Sequence, residues 1–238
     1  MNFIEDGFRN AWELLTHPDD RLWNVLEVTL QVAFWSTLLA LLLGLPLGLA
    51  LGLRRSRARR AGLVLVNAGM GLPPVVVGLI VALLLFREAP FGFLDMIYTV
   101  RGVILAQTVL SLPLVAALTA AAVQAVPGAL LDQARALGAR RRQVWWLALR
   151  EARVGVFAAG IAALGSSLSE VGAVVLVGGN ITGQTQTLAS AVLVEVSAGD
   201  YGRAVALGLI LLGLILVIAA VLTVAQQVQA RLALRRAS

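Results

Sequence analysis

The chain has 238 residues, of which 59% are hydrophobic and 13% charged, and its mean hydropathy is +0.88. A soluble domain carries about 25% charged residues, so an ordinary water-soluble enzyme is excluded and a membrane protein is indicated. Cysteine and lysine are absent and His17 is the lone histidine. Disulfides, thiolate metal sites and the P-loop lysine that reaches nucleotide phosphates are therefore ruled out, and no metal site, catalytic residue or cofactor is expected in this chain.

Residues 1–24 form the first predicted segment. Ile4, Phe8, Trp12 and Leu15 fall at helical spacing, which predicts a short amphipathic helix in the outer interface. His17-Pro18 ends it, and His17 reads as a loop residue at a helix end. These residues lack a basic region followed by a short apolar one, so no cleavable signal peptide is expected.

About 20 apolar residues in helix cross a bilayer. Five stretches qualify, at 28–53, 61–86, 102–126, 154–177 and 204–228; only Glu170 interrupts the fourth. The first carries Gly44, Gly48 and Gly52, a small-residue ridge suited to close helix contact. Pro73-Pro74 lie in the second stretch and Pro113 in the third. Proline inside a span needs neighbours to satisfy the carbonyls it frees, so these helices are expected to pack against protein.

Between the third and fourth spans, residues 127–153 contain the block DQARALGARRRQVWW, from Asp132 to Trp146. Pro127 suits a first helical position. Leu130, Ala134 and Leu137 then share one helix face, Asp132 and Arg135 form an i, i+3 pair, and Gly138 stands where a left-handed C-cap belongs. A second helix with Val144, Trp145, Leu147 and Leu149 follows. Three uses of this helix–Gly–helix unit compete: an interfacial pair on lipid headgroups, a docking surface for a soluble partner, or both at once.

The fourth span gathers Ser166, Ser167, Ser169 and Glu170 at membrane depth. An ionisable residue there marks a functional site by default. Glu170 is either a structural acid, held by serine hydroxyls or backbone amides at a helix break, or a contact for a passing substrate; an anion would be repelled by it. The serines and Asn180 are neutral donors that suit a dehydrated anion. After Val177, the run Gly178-Gly179-Asn180-Ile181-Thr182 favours turns. Residues 188–194 are too short to span and are expected to form a re-entrant or interfacial piece. Residues 231–238 form a basic tail.

Five spans place 54–60, 135–153 and 231–236 on one side, and these regions hold fourteen of the nineteen arginines. Cytoplasmic loops collect arginine, so the C-terminus is expected in the cytoplasm and the N-terminus outside. The pI near 11.3 is thereby a topology signal, and nucleic acid is not expected as a partner.

The stretch Asp132-Gln133-Ala134…Gly138 resembles E-A-A-x-x-x-G, the cytoplasmic-loop signature of binding-protein-dependent ABC transporter permeases, with Asp for Glu and Gln for Ala. Where that family continues to Leu-Pro, this chain reads Leu149-Arg150-Glu151. The run SEVGAVVLVGGNITGQTQTLASAVLVE, from Ser169 to Glu195, is similar to the matching segment of molybdate, sulfate and tungstate permeases, and resembles the tungstate group most closely. The resemblance implies an all-α integral membrane protein in the plasma membrane that acts as a homodimer. It implies two cytoplasmic ATP-binding subunits and an external substrate-binding protein as partners, beside membrane lipids, and import of a tetrahedral oxyanion, tungstate or otherwise molybdate. It also implies that Asp132, Gln133, Ala134, Arg135, Leu137 and Gly138 contact the ATPase. Ser166, Ser169, Glu170, Asn180 and Thr182 are the pore or gate candidates. The alternatives are a proton-coupled carrier using Glu170 and a membrane scaffold without transport.

Overall fold

Prolines decide where the long apolar stretches stay straight and where they turn. The computed structural model describes residues 3–53 and 57–235. Arg54, Arg55 and Arg236 lie outside the described residues, as do the side chains of Ile4, Arg231 and Arg235. The described chain is helical apart from turns and one short 3-10 segment, Gly92–Leu94. The helices are α1 (Phe3–Thr16), α2 (Asp20–Leu53), α3 (Arg57–Met70), α4 (Pro74–Leu85), α5 (Val100–Gln124), α6 (Gly128–Ala136), α7 (Arg141–Glu151), α8 (Arg153–Ser169), α9 (Gly172–Gly178), α10 (Leu188–Ala198) and α11 (Tyr201–Arg235).

Helices α2, α5 and the first 24 residues of α11 are long and apolar enough to cross a membrane unbroken. The two other predicted spans are bent pairs. α3 and α4 meet at 101° and α8 and α9 at 62°, so there are five crossings if each pair crosses once. The second span expected at 61–86 is broken at its proline pair. Pro74 forces its predecessor out of the helical region, and Pro73 accordingly has ψ 121°. Pro46 and Pro113, which are followed by no such pair, stay inside α2 and α5.

Helix ends also move. α2 begins eight residues before the predicted span, because Asp19 Oδ1 accepts the Leu22 amide at 2.7 Å and caps it. α11 runs on to Arg235, so the predicted basic tail starts as helix.

The chain divides into two compact units. One comprises Met1–Ser36, Pro73–Thr108 and Gly165–Ala220. Its core joins Leu22 and Val25 of α2, Leu188 and Ala191 of α10, and Leu207 and Ile210 of α11. α4 packs on α9 so closely that a β-carbon on Gly78 would stand 2.6 Å from the Ala173 Cα. The predicted separate segment 1–24 belongs to this unit, since Gly7 of α1 sits directly on Val205 of α11. The amphipathic face expected of α1 is present, with Phe8, Trp12 and Leu15 exposed.

The other unit comprises Thr37–Leu72, Val109–Leu164 and Val221–Ser238. Here the predicted glycine ridge does its packing. A β-carbon on Gly44 would lie 2.8 Å from Val115, one on Gly48 2.5 Å from the Ala116 carbonyl oxygen, and one on Gly52 2.6 Å from Val123. α2 and α5 therefore meet at close range over two turns, the α2 backbone against two valine side chains and, at Gly48, against the α5 backbone itself. Gly48→Val is expected to cost at least about 1–3 kcal/mol through overpacking, read as a lower unfolding midpoint in detergent. Gly213→Ala, with nothing within 4 Å, leaves that midpoint unchanged or slightly raised.

Candidate functional site

The helix–Gly–helix unit folds as a hairpin. Pro127 is the N-cap of α6 and not its first residue, with ψ 122°. At the other end Gly138 has φ +82°. The Gly138 amide donates to the Arg135 carbonyl and the Ala139 amide to the Ala134 carbonyl, both at 3.0 Å. This pair of bonds is a Schellman turn, as the position of Gly138 predicted. α7 then starts with the Arg140 amide donating to Gln143 Oε1 at 2.7 Å.

The inward face of α6 differs from the expectation. Leu131 is its buried side chain, while Leu137 is 89% exposed. A helix turn shifts the buried stripe because the hairpin docks through Val144, Ala148 and Ala152, which with Leu131 close on Leu49 of α2 and Val123 of α5. The hairpin is thus seated on protein through this face. Asp132, Gln133, Arg135 and Leu137 point outward, with Ala134 half-buried. Asp132 and Arg135 form the predicted ion pair.

The second set of candidates is not gathered into one site. α9 is seven residues long, roughly 10 Å, and separates Ser166, Ser169 and Glu170 at its start from Asn180 and Thr182 past its end. Ser169 spends its hydroxyl on the Gly165 and Ser166 carbonyls, at 3.0 and 3.3 Å. Ser167 pairs with Ser36 of α2 at 2.9 Å. Glu170 Oε1 accepts the Gly172 amide at 2.8 Å, so a carboxylate stands at the positive end of α9. Ser166 and Thr182 are exposed. Asn180 takes φ +50°, and its Oδ1 is buried without a partner.

Sequence reasoning missed the polar knot between α9 and α10. Residues 185–191 are all buried, so the segment 188–194 begins as a packed helix. Thr187 and Ser190 cap each other's amides at 3.3 and 2.9 Å. Thr185 Oγ1 donates to the Gly178 carbonyl at 2.7 Å and accepts the Ile181 amide at 2.9 Å. Thr29 of α2 accepts the Leu188 amide at 2.8 Å. The T-x-x-S pattern of 187–190 is the signal that could have located this helix start. Gln186 is fully buried with both amide atoms unpartnered.

An ion network was also missed. Arg203 of α11 donates to Asp19 at 2.7 Å and lies 3.9 Å from Glu195 of α10. Arg21 of α2 stands 2.8 Å from the buried Glu195, close in distance though not aligned as a hydrogen bond. Burial pushes the Asp19 carboxyl up, but the Leu22 amide and the Arg203 and Arg21 guanidiniums outweigh it and hold it below its ordinary value.

Residues 44–235 match the family described as the binding-protein-dependent transport system inner membrane component. The chain belongs to that family. It is a multi-pass ABC transporter permease of the inner membrane. The permease is 44% identical to a probable anion ABC transporter permease protein of Haloferax volcanii, over 63% of this chain and 67% of the relative. It is 35% identical to a tungstate uptake system permease protein of Peptoclostridium acidaminophilum, over 89% and 93%. A molybdenum transport system permease protein of Escherichia coli is 28% identical, over 80% and 86%. Among solved structures, a bacterial ABC transporter involved in alginate import shares the fold at TM-score 0.77 and 18% identity, over 94% and 87%. An inward-facing methionine ABC transporter does so at 0.66 and 20%, over 90% and 98%.

Two tests address the packing around these sites. Thr29→Val leaves the Leu188 amide buried and unpaired, so it is expected to cost about 1–3 kcal/mol and to speed exchange of that amide; Thr29→Ser restores protection. Because the Asp19 carboxyl is held low in the fold, its contribution is present at neutral pH and is lost as pH falls through its folded pKa. Unfolding midpoints measured down to pH 3 are expected to drop more steeply for the wild type than for Asp19→Asn.

Proposed function

We propose that this permease forms a homodimer that moves a tetrahedral oxyanion into the cytoplasm, tungstate first and molybdate otherwise. Two ATP-binding subunits drive it from the cytoplasm, and an external binding protein delivers the anion. The substrate rests on likeness to the tungstate relative, which covers nearly the whole chain.

The observation that carries the mechanism is the seating of the hairpin. α6 offers Asp132, Gln133, Arg135 and an 89% exposed Leu137 to a partner, while its reverse side closes on α2 and α5. Displacement of the outer face is therefore passed to two long apolar helices by contact. In this reading the ATPase pair grips α6, and its closure on ATP shifts the hairpin and switches the side on which the pathway opens.

The pathway is assigned to Ser166, Asn180 and Thr182, neutral groups that can hydrogen-bond a dianion without holding it by fixed charge. Ser169 and Glu170 are read as residues that support the helix break, which leaves Glu170 poorly suited to a proton carrier.

Proteoliposomes holding the permease, its ATPase subunits and the binding protein test the assignment. Gly138→Trp, which puts a side chain at φ +82°, and Asp132→Arg are expected to lower tungstate uptake per ATP hydrolysed at least tenfold, with the protein still in the membrane. Unchanged stoichiometry in both variants would remove α6 from the coupling role. Uptake by the permease alone under a pH gradient would replace the ABC mechanism.

A further inference from the structure

The coupling role leaves the outward face of α7 without a task. Val144 and Ala148 turn inward. Arg142, Trp146, Leu149 and Arg150 recur at i, i+4, i+7 and i+8 and so share another face. Trp146 is 67% exposed, and both arginines are exposed. Among the described residues neither arginine has a carboxylate partner, whereas neighbouring Arg141 is stacked 5.3 Å from the Trp145 ring centre. With Leu49 and Leu147 this face walls a groove of about 630 Å³, and no acidic side chain lines it.

We propose that this groove binds one anionic phospholipid, its phosphate held between Arg142 and Arg150 and an acyl chain laid along Trp146, Leu149 and Leu49. The arginines stand two turns apart on α7, about 12 Å, and flank the apolar floor. Both signs of complementarity are needed for such a ligand. A free anion has no use for a tryptophan and leucine floor, and a neutral lipid has none for two unpaired guanidiniums. Tryptophan at a water–lipid boundary and arginine stems lying along apolar surface suit the same occupant. Headgroup charge then tethers the hairpin to the leaflet at α7 while α6 stays open to its partner.

Native mass spectrometry of the delipidated permease, alone and with its ATPase subunits, tests the site by titration with phosphatidylglycerol and phosphatidylcholine. The wild type is expected to retain one phosphatidylglycerol per chain in both forms. The preference over phosphatidylcholine is expected to fall on the order of thirtyfold in the Arg142→Gln/Arg150→Gln variant, from two lost interfacial charges. Arg142→Lys/Arg150→Lys keeps the preference, and so does Arg57→Gln/Arg60→Gln, which removes two charges elsewhere and shows that net charge is not the cause. Trp146→Ala weakens retention of both lipids alike. Three results overturn the proposal. The Gln variant binds phosphatidylglycerol as the wild type does; millimolar inorganic phosphate displaces the lipid, marking a simple anion site; or binding to the permease alone vanishes with the ATPase subunits present, marking the groove as their contact.

Discussion

A helix that breaks inside an apolar surround frees amides and carbonyls that no water is there to satisfy. In this chain that constraint organises several of the polar side chains between α8 and α10. Glu170 takes the first amide of α9, Thr185 takes the carbonyl and amide released after it, and Thr187 and Ser190 serve the start of α10. Thr29 reaches across from α2 for the Leu188 amide. Glu170, singled out in the sequence as a candidate for transport, is here part of the means by which a twice-broken segment is tolerated.

The same economy explains where side chains are missing. Between α2 and α5 the glycines at 44, 48 and 52 remove every obstacle to backbone contact, and dispersion over that close surface substitutes for the hydrophobic effect that lipid does not supply. The hairpin of α6 and α7 rests on the end of this same contact, through Leu49 and Val123. The seat is close-packed, and the opposite side of α6 is exposed.

Legibility in the sequence followed the range of the cause. The glycine ridge, the Gly138 turn and the Asp132–Arg135 pair are set by residues within a turn or two of each other, and each was readable. Pro73-Pro74 was visible as a breaker, but a bend of 101° depends on which neighbour each arm packs against. The buried stripe of α6 moved from Leu130 and Leu137 to Leu131 for the same reason: periodicity gives a face, and the partner helix chooses its rotation. The Arg21–Glu195–Arg203–Asp19 network joins residues up to 184 apart in sequence, and no local pattern announces such pairs.

The unequal footing of the hairpin has a mechanical corollary. α6 is pinned by one buried side chain, Leu131, and α7 by two, Val144 and Ala148, with a fixed left-handed turn between them. A beam held at one point pivots before it slides. A force applied near Leu137, more than a turn from that pin, thus acts first as a torque on α6 about Leu131, and α7 becomes the fixed arm against which it works.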